Sequence, residues 1–181
     1  MIYEFLNRSP QFDESVFIAP SADVIGDVTI GEESSVWFNV TIRGDVNRIT
    51  IGKRSNVQDN SSIHVMNGDG PTQIGNDVTI GHNAMIHGCT IHDRVLVGIH
   101  STVLDKAVVM QDVIIAAGSL VPPGKTLESG YLYMGSPVKQ VRKLSDEELR
   151  SIREYATNYV KYQRTYRRVD EYDQNPFYDA G

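Results

Sequence analysis

The 181 residues include a single cysteine, a single tryptophan and seven prolines. The lone Cys89 cannot close an internal disulfide, and no charged stretch followed by an apolar one marks the N-terminus. Secretion is therefore not expected, and a reducing cytoplasm is the expected compartment. No uninterrupted apolar run approaches the roughly 20 residues that cross a bilayer, so no membrane partner is expected. Lys and Arg number eight against fifteen Asp and Glu over 1–138, nine against four over 139–168 and none against four beyond, for a net charge of −6. Such a body repels phosphate, which argues against nucleic acid as a partner. The length suits one architectural unit, divided as 1–135 and a C-terminal turn, helix and tail over 136–181.

What the chain has in abundance is Val and Ile, 36 of the 181 residues, and their placement is periodic. One returns every six residues at Ile18, Val24, Ile30, Val36 and Ile42, again at Ile51, Val57 and Ile63, and again at Ile74, Ile80 and Ile86. After one five-residue step it continues at Ile91, Val97, Val103, Val109, Ile115 and Val121. The fourth position after each anchor is small or β-branched, Val46 and Thr90 included, and Asn, Asp and Gly crowd the places where tight corners need positive φ. Short strands joined by such corners predict an all-β triangular solenoid, three sides to a coil, with the anchors inside. The count gives about five coils ending near Val121; the period does not fix their hand. Behind them, Ser145 to Glu148 reads as a capping box, and Leu149, Ile152, Ala156 and Val160 follow at helical spacing. A helix over about 146–168 should lie along the solenoid, its basic face either meeting the acidic body or solvated. Residues 169–181 are expected to form a mobile tail.

Hexad arithmetic places the histidines. His64 and His87 each follow their anchor by one residue, so they should stack in adjacent coils of one face, about 4.8 Å apart, close enough to share a metal with Zn–N bonds of about 2.0–2.1 Å. His82 follows Ile80 by two and falls on the adjoining face, in the column of Asp59 with Gln58 beside it. Arg43 shares the column of His64. A half-built site on one face with its third ligand on the next is what a three-fold assembly completes, with His64 and His87 from one chain and His82 from another. His92, on the third face, and His100, one residue out of the His82 column, read as surface residues. Arg43 with Asp45 is also compatible with a structural ion pair, and Gln58 and Asp59 with turn residues.

Ile42-Arg43-Gly44-Asp45, Asn56-Val57-Gln58-Asp59, His64, Gly81-His82 and His87-Gly88-Cys89 together resemble the gamma-class carbonic anhydrase branch of the hexapeptide-repeat family, from about residue 10 to the C-terminal helix. The resemblance implies a left-handed parallel β-helix and a homotrimer whose zinc, or iron or cobalt, is bound by His64, His82 and His87 between subunits. It further implies that Gln58 positions the hydroxide that attacks carbon dioxide to give bicarbonate. Arg43 and Asp59 would pair between subunits, Asp45 and Asn56 would support them, and Tyr159 on the helix would approach the site. Three neutral imidazoles leave a zinc ion able to bring a water pKa from 15.7 to about 7. Members of the family carry glutamates in an acidic loop as proton shuttles; here the loop from Met66 to Pro71 holds only Asp69, and Val46 follows Asp45, so low activity is expected. The alternatives are acyl transfer from an acyl-CoA with His100 as base, and a structural trimer with a vestigial metal site.

Overall fold

The computed structural model describes residues 1–172 and 174–177 and is a parallel β-solenoid of about seven turns with one C-terminal helix. Its first face stacks the strands Phe17–Ile18, Ser35–Val36, Asn56–Val57, Thr79–Ile80, Val95–Val97, Val113–Ile115 and Tyr131–Met134. The second face carries Ser62–His64, Met85–His87, Thr102–Val103 and Leu120–Val121, and the third Thr72–Ile74, Thr90–Ile91, Val108–Val109 and Thr126–Leu127. Strands Asp23–Ile30 and Thr41–Ile51 run around the corner from second to third face without a break. Gly26 allows it: φ there is +77°, and a Cβ would lie 2.3 Å from the carbonyl oxygen of Gly44. The anchors point inward and form one continuous apolar core.

The coils do not end near Val121. Leu127 pairs with Val109 and Tyr133 with Ile115, both buried. The six-residue period simply continues with Leu and Tyr as anchors, which a count of Val and Ile passes over. At the other end Ile2–Tyr3 and Gln11–Phe12 pair with Asp23–Ile30 and add residues below the first anchor. Strand Lys139–Lys143 then returns antiparallel along Tyr131–Met134, where a turn is expected. Its exposed KQVRK sequence has no apolar face to announce a strand, and its lysines suit an edge that must not recruit another.

The small position inside each corner is set by the following anchor rather than the preceding one. Three extra residues at 43–48 displace Val46, which is 47% exposed, and Ile49 occupies the core in its stead. The five-residue step likewise gives the inner place to Cys89, not Thr90. Burial pushes the Cys89 thiol up to about 12, as for an inert apolar filler.

Another corner holds Glu33, Arg54, Asp77, Arg94 and Asp112 one above another, each with φ between 52° and 57°. Arg54 grips Asp77 with two bonds of 2.7 and 2.8 Å, and Arg94 grips Asp112 with two of 2.7 and 2.9 Å.

The helix spans Asp146–Tyr166. The Glu148 N–H donates to Ser145 Oγ at 3.2 Å, and the Ser145 N–H returns a 2.9 Å bond to the Glu148 carboxylate, which also receives two 2.7 Å bonds from Arg142. It packs on the first face. Its contact is mainly apolar and aromatic: Ile152 and Ala156 are buried, and the rings of Tyr159 and Tyr166 each meet Trp37 at 5.3 Å, while of the basic residues Arg167 at the C-cap donates to the carbonyls of Glu14 and Ser15 at 2.8 and 2.9 Å. Burying aromatic area stabilises the docking more than screened surface charge could. Part of the expected tail folds back, with Asp170 on Arg164 at 2.8 Å and Phe177 on Tyr162 at 4.9 Å; residues 173 and 178–181 lie outside the described residues.

Candidate metal centre

Parallel pairing of Ser62–His64 with Met85–His87 sets His64 directly beneath His87. Their ring centroids are 5.1 Å apart, as the hexad count requires. Buried Thr72 locks this register. Its hydroxyl donates to the His64 carbonyl at 2.6 Å and accepts from the Gly88 N–H at 3.0 Å, joining the ligand strands of both coils.

Each histidine that could bind an ion has one ring nitrogen against a carboxylate. His64 Nε2 lies 2.9 Å from Asp45, His87 Nδ1 2.5 Å from Asp105, and His82 Nδ1 2.9 Å from Asp59. Such carboxylates orient the ring and settle which nitrogen remains as a ligand. The nitrogens left over on the stacked pair, His64 Nδ1 and His87 Nε2, face each other at 3.1 Å. Two ligands on one tetrahedral zinc, with bonds near 2.05 Å, sit about 3.3 Å apart, so this pair fits a divalent ion. Room for Asp105 beside His87 comes from Gly88, where φ is +53° and a Cβ would fall 2.3 Å from the Asp105 oxygen.

The third ring is elsewhere. His82 projects from the corner after Thr79–Ile80 on the first face, and among the described residues no three His, Cys, Asp or Glu side chains of this one chain converge on a metal position. Arg43, beneath His64, forms an ion pair with Asp45. Burial pushes the Asp45 carboxyl up, but the bonds to His64 and Arg43 outweigh it and hold it below the usual range. Since Asp59 faces His82, an Arg43 to Asp59 pair is not formed within the chain.

Gln58 and Asn56 are buried on the first face; of the pair compatible with turn residues, Asp59 sits in the turn and Gln58 does not. Gln58 Nε2 donates to Asn56 Oδ1 at 3.2 Å, and Asn56 Nδ2 donates to Thr79 Oγ1 at 2.9 Å. Tyr159 lines a cavity of about 320 Å³ with Asp59, Trp37 and Phe38, and burial, then the nearby Asp59 charge, pushes its phenol up to about 12. His92 and His100 are exposed, as expected of surface residues. Sequence reasoning missed Asp105, Thr72, Thr79 and Asn47. Asp105 carried a signal, lying one coil beyond His87 and two residues after its anchor Val103. Asn47 pins the loop after His64 through the carbonyls of Met66 and Gly68, at 3.1 and 2.8 Å, and Lys106 holds Asp69 of that loop at 3.0 Å.

Residues 71–104 match the family described as bacterial transferase hexapeptide (six repeats). The chain is 48% identical to gamma carbonic anhydrase 2, mitochondrial, of Arabidopsis thaliana over 85% of its own length, and spans 57% of that protein. It is 40% identical to the carbonic anhydrase of Geobacillus kaustophilus, covering 94% of this chain and 93% of the other. The crystal structure of a hexapeptide transferase family protein from Anaplasma phagocytophilum superposes with a TM-score of 0.89 at 40% identity, covering 92% of this chain and 98% of that one. Taken with the left-handed β-helix and the paired imidazoles, these similarities show that the chain belongs to the gamma-class carbonic anhydrase family of hexapeptide-repeat proteins.

Proposed function

We propose that this protein hydrates carbon dioxide to bicarbonate at a metal site shared between the chains of a homotrimer. The observation that carries the reading is the 3.1 Å approach of His64 Nδ1 and His87 Nε2, each the nitrogen its carboxylate leaves available. His82, with Nε2 free and its face adjoining, is the ligand a neighbouring chain would bring, and three-fold closure supplies three such sites. Zinc is the first candidate ion and iron or cobalt the alternatives. When bound, such an ion supplies Lewis-acid activation of water near neutral pH and electrostatic stabilisation of the forming oxyanion.

The chain's own groups do the rest. Asp45, Asp105 and Asp59 fix the three rings. Gln58 spends its N–H on Asn56, so Gln58 Oε1 is the atom left to accept a hydrogen bond from the attacking water and orient it. Arg43 is 44% exposed at its side chain and reaches solvent beyond Asp45, where it can meet Asp59 of a neighbour. Tyr159 borders the His82 half of the site through Asp59 and holds its proton near neutral pH.

Proton export is the weak step. Val46 stands exposed at the corner, and Asp69, held by Lys106, has its carboxyl below the usual range, making it a poor proton acceptor. Slow turnover limited by buffer is therefore expected. A cytoplasmic setting remains part of the proposal; among the described residues no helix is long and apolar enough to cross a membrane.

The test is metal analysis of protein purified without chelator, with carbon dioxide hydration followed by isotope exchange. His82→Ala and His64→Ala should each abolish metal and activity, and trimers assembled from a mixture of the two should regain a fraction of both. Full metal content in the His82→Ala trimer would falsify the shared site. Acetyl-CoA consumption by metal-free protein would replace the reading with acyl transfer.

A further inference from the structure

A cavity of about 510 Å³ lies beside the metal half-site and is not used by the chemistry above. Its lining comes from the 44–48 corner, from Gln73 on the third face, and from the N-terminal turn, where Phe5 and Arg8 bond to each other through their backbones at 2.9 and 3.0 Å. Gln73 lies on the third face, which carries none of the three histidines of the metal reading. The size falls within the range of small-molecule sites.

Its electrostatics are lopsided. Asp45 is already engaged by Arg43 and His64, and Asp27 by Arg48 at 3.4 Å. Arg8 lines the same cavity, and its guanidinium has neither an ion pair nor a side-chain hydrogen bond among the described residues. Apolar side chains line the same cavity and are not folded away: Phe5 is 38% exposed, Leu6 81% and Val46 47%. A planar cation with a vacant fork next to exposed apolar surface matches a carboxylate with a hydrocarbon body. A neutral ligand would leave the fork unused, and a bare inorganic anion would leave the apolar wall wet.

We propose that this cavity binds a small organic monocarboxylate, with Arg8 taking the carboxylate and Phe5, Leu6 and Val46 packing its apolar part. The inference stands apart from the metal reading, because none of these four residues belongs to the ligand set.

Calorimetric titration of the intact protein with benzoate, and with benzamide as its neutral isostere, tests it in both metal-loaded and metal-stripped samples. Benzoate should bind and benzamide should bind about tenfold or more weakly, the difference expected of one charge-assisted pair. Arg8→Gln should weaken benzoate about tenfold or more, Arg8→Lys should recover part of the loss, and Val46→Asp should exclude benzoate while the thermal midpoint stays unchanged. Equal affinity for benzoate and benzamide, an Arg8→Gln variant that binds as the parent does, or no benzoate binding at millimolar concentration would each overturn the proposal. Loss of benzoate binding only in the stripped sample would overturn it too, assigning the anion to the metal instead.

Discussion

His87 is gripped by Asp105 through Nδ1 at 2.5 Å, and this leaves Nε2 turned toward His64. The carboxylate sits one coil above its histidine, so the solenoid's stacking itself decides which nitrogen can be a ligand. Replacing Asp105 by Asn keeps the shape and removes the charge. Metal affinity should fall about 10- to 100-fold, measured by competition with a chelator, while the melting temperature of metal-free protein moves little. Unchanged affinity would remove Asp105 from the site.

Thr72 ties the two ligand-bearing coils through one hydroxyl. In Thr72→Val the volume is kept, but the His64 carbonyl and the Gly88 N–H lose the hydroxyl and keep only their own longer bond of 3.3 Å. The cost should be about 0.5 to 1.5 kcal/mol, read by denaturant titration, and metal should bind more weakly because the histidine register loosens. A valine variant as stable as the parent would show that the hydroxyl is dispensable.

Gly26 permits the corner that carries Asp27 and backs Asp45. Gly26→Ala combines a positive φ with a Cβ directed at the Gly44 carbonyl, so the loss should exceed about 1 kcal/mol. Comparison with Gly68→Ala separates the two causes, since Gly68 has a positive φ of 76° and open space around its Cβ. The Gly26 variant should be the less stable; equal losses would refute the close-approach account.

Glu148 connects acidity to the helix start. Bonds from Arg142, then from the Ser145 backbone, lower its pKa to about 2 from an ordinary 4.5. A depressed carboxyl contributes stability that is fully present above the unfolded value and is lost as pH falls from about 4.5 through about 2. Acid titration followed by far-ultraviolet circular dichroism should show the parent holding its helix to lower pH than Glu148→Gln, with the gap closing toward pH 2. Superimposed curves would show that the capping box does not depend on charge.

Much of the fold was legible because its physics is periodic. An anchor every six residues reports the core directly, and the same arithmetic placed His64 under His87 and His82 around the corner. The count failed where side-chain identity changed while the role did not: Leu127 and Tyr133 are anchors as surely as Ile115. It also failed at insertions, where Val46 takes the fourth place after Ile42 although Ile49 fills the core. Partners reached across coils, such as Asp105 to His87 and Thr72 to Gly88, were hidden because they depend on side-chain direction rather than spacing. At the helix, charge left two readings open, and the contact is made mainly by Tyr159 and Tyr166, with Arg167 reaching the carbonyls of Glu14 and Ser15.

The column of Glu33, Arg54, Asp77, Arg94 and Asp112 begins and ends with an acid. A coil that slipped by one turn would set carboxylate against carboxylate, so alternation acts as a key for correct winding. The charges stop short of the ends: Gly130 follows Asp112 and Ser15 precedes Glu33 in the same column. Open solenoids with repeating backbones are prone to grow end on end into fibres, and here strand Lys139–Lys143 turns back along Tyr131–Met134 to occupy the rim with lysines. The chain thereby stops its own extension with itself.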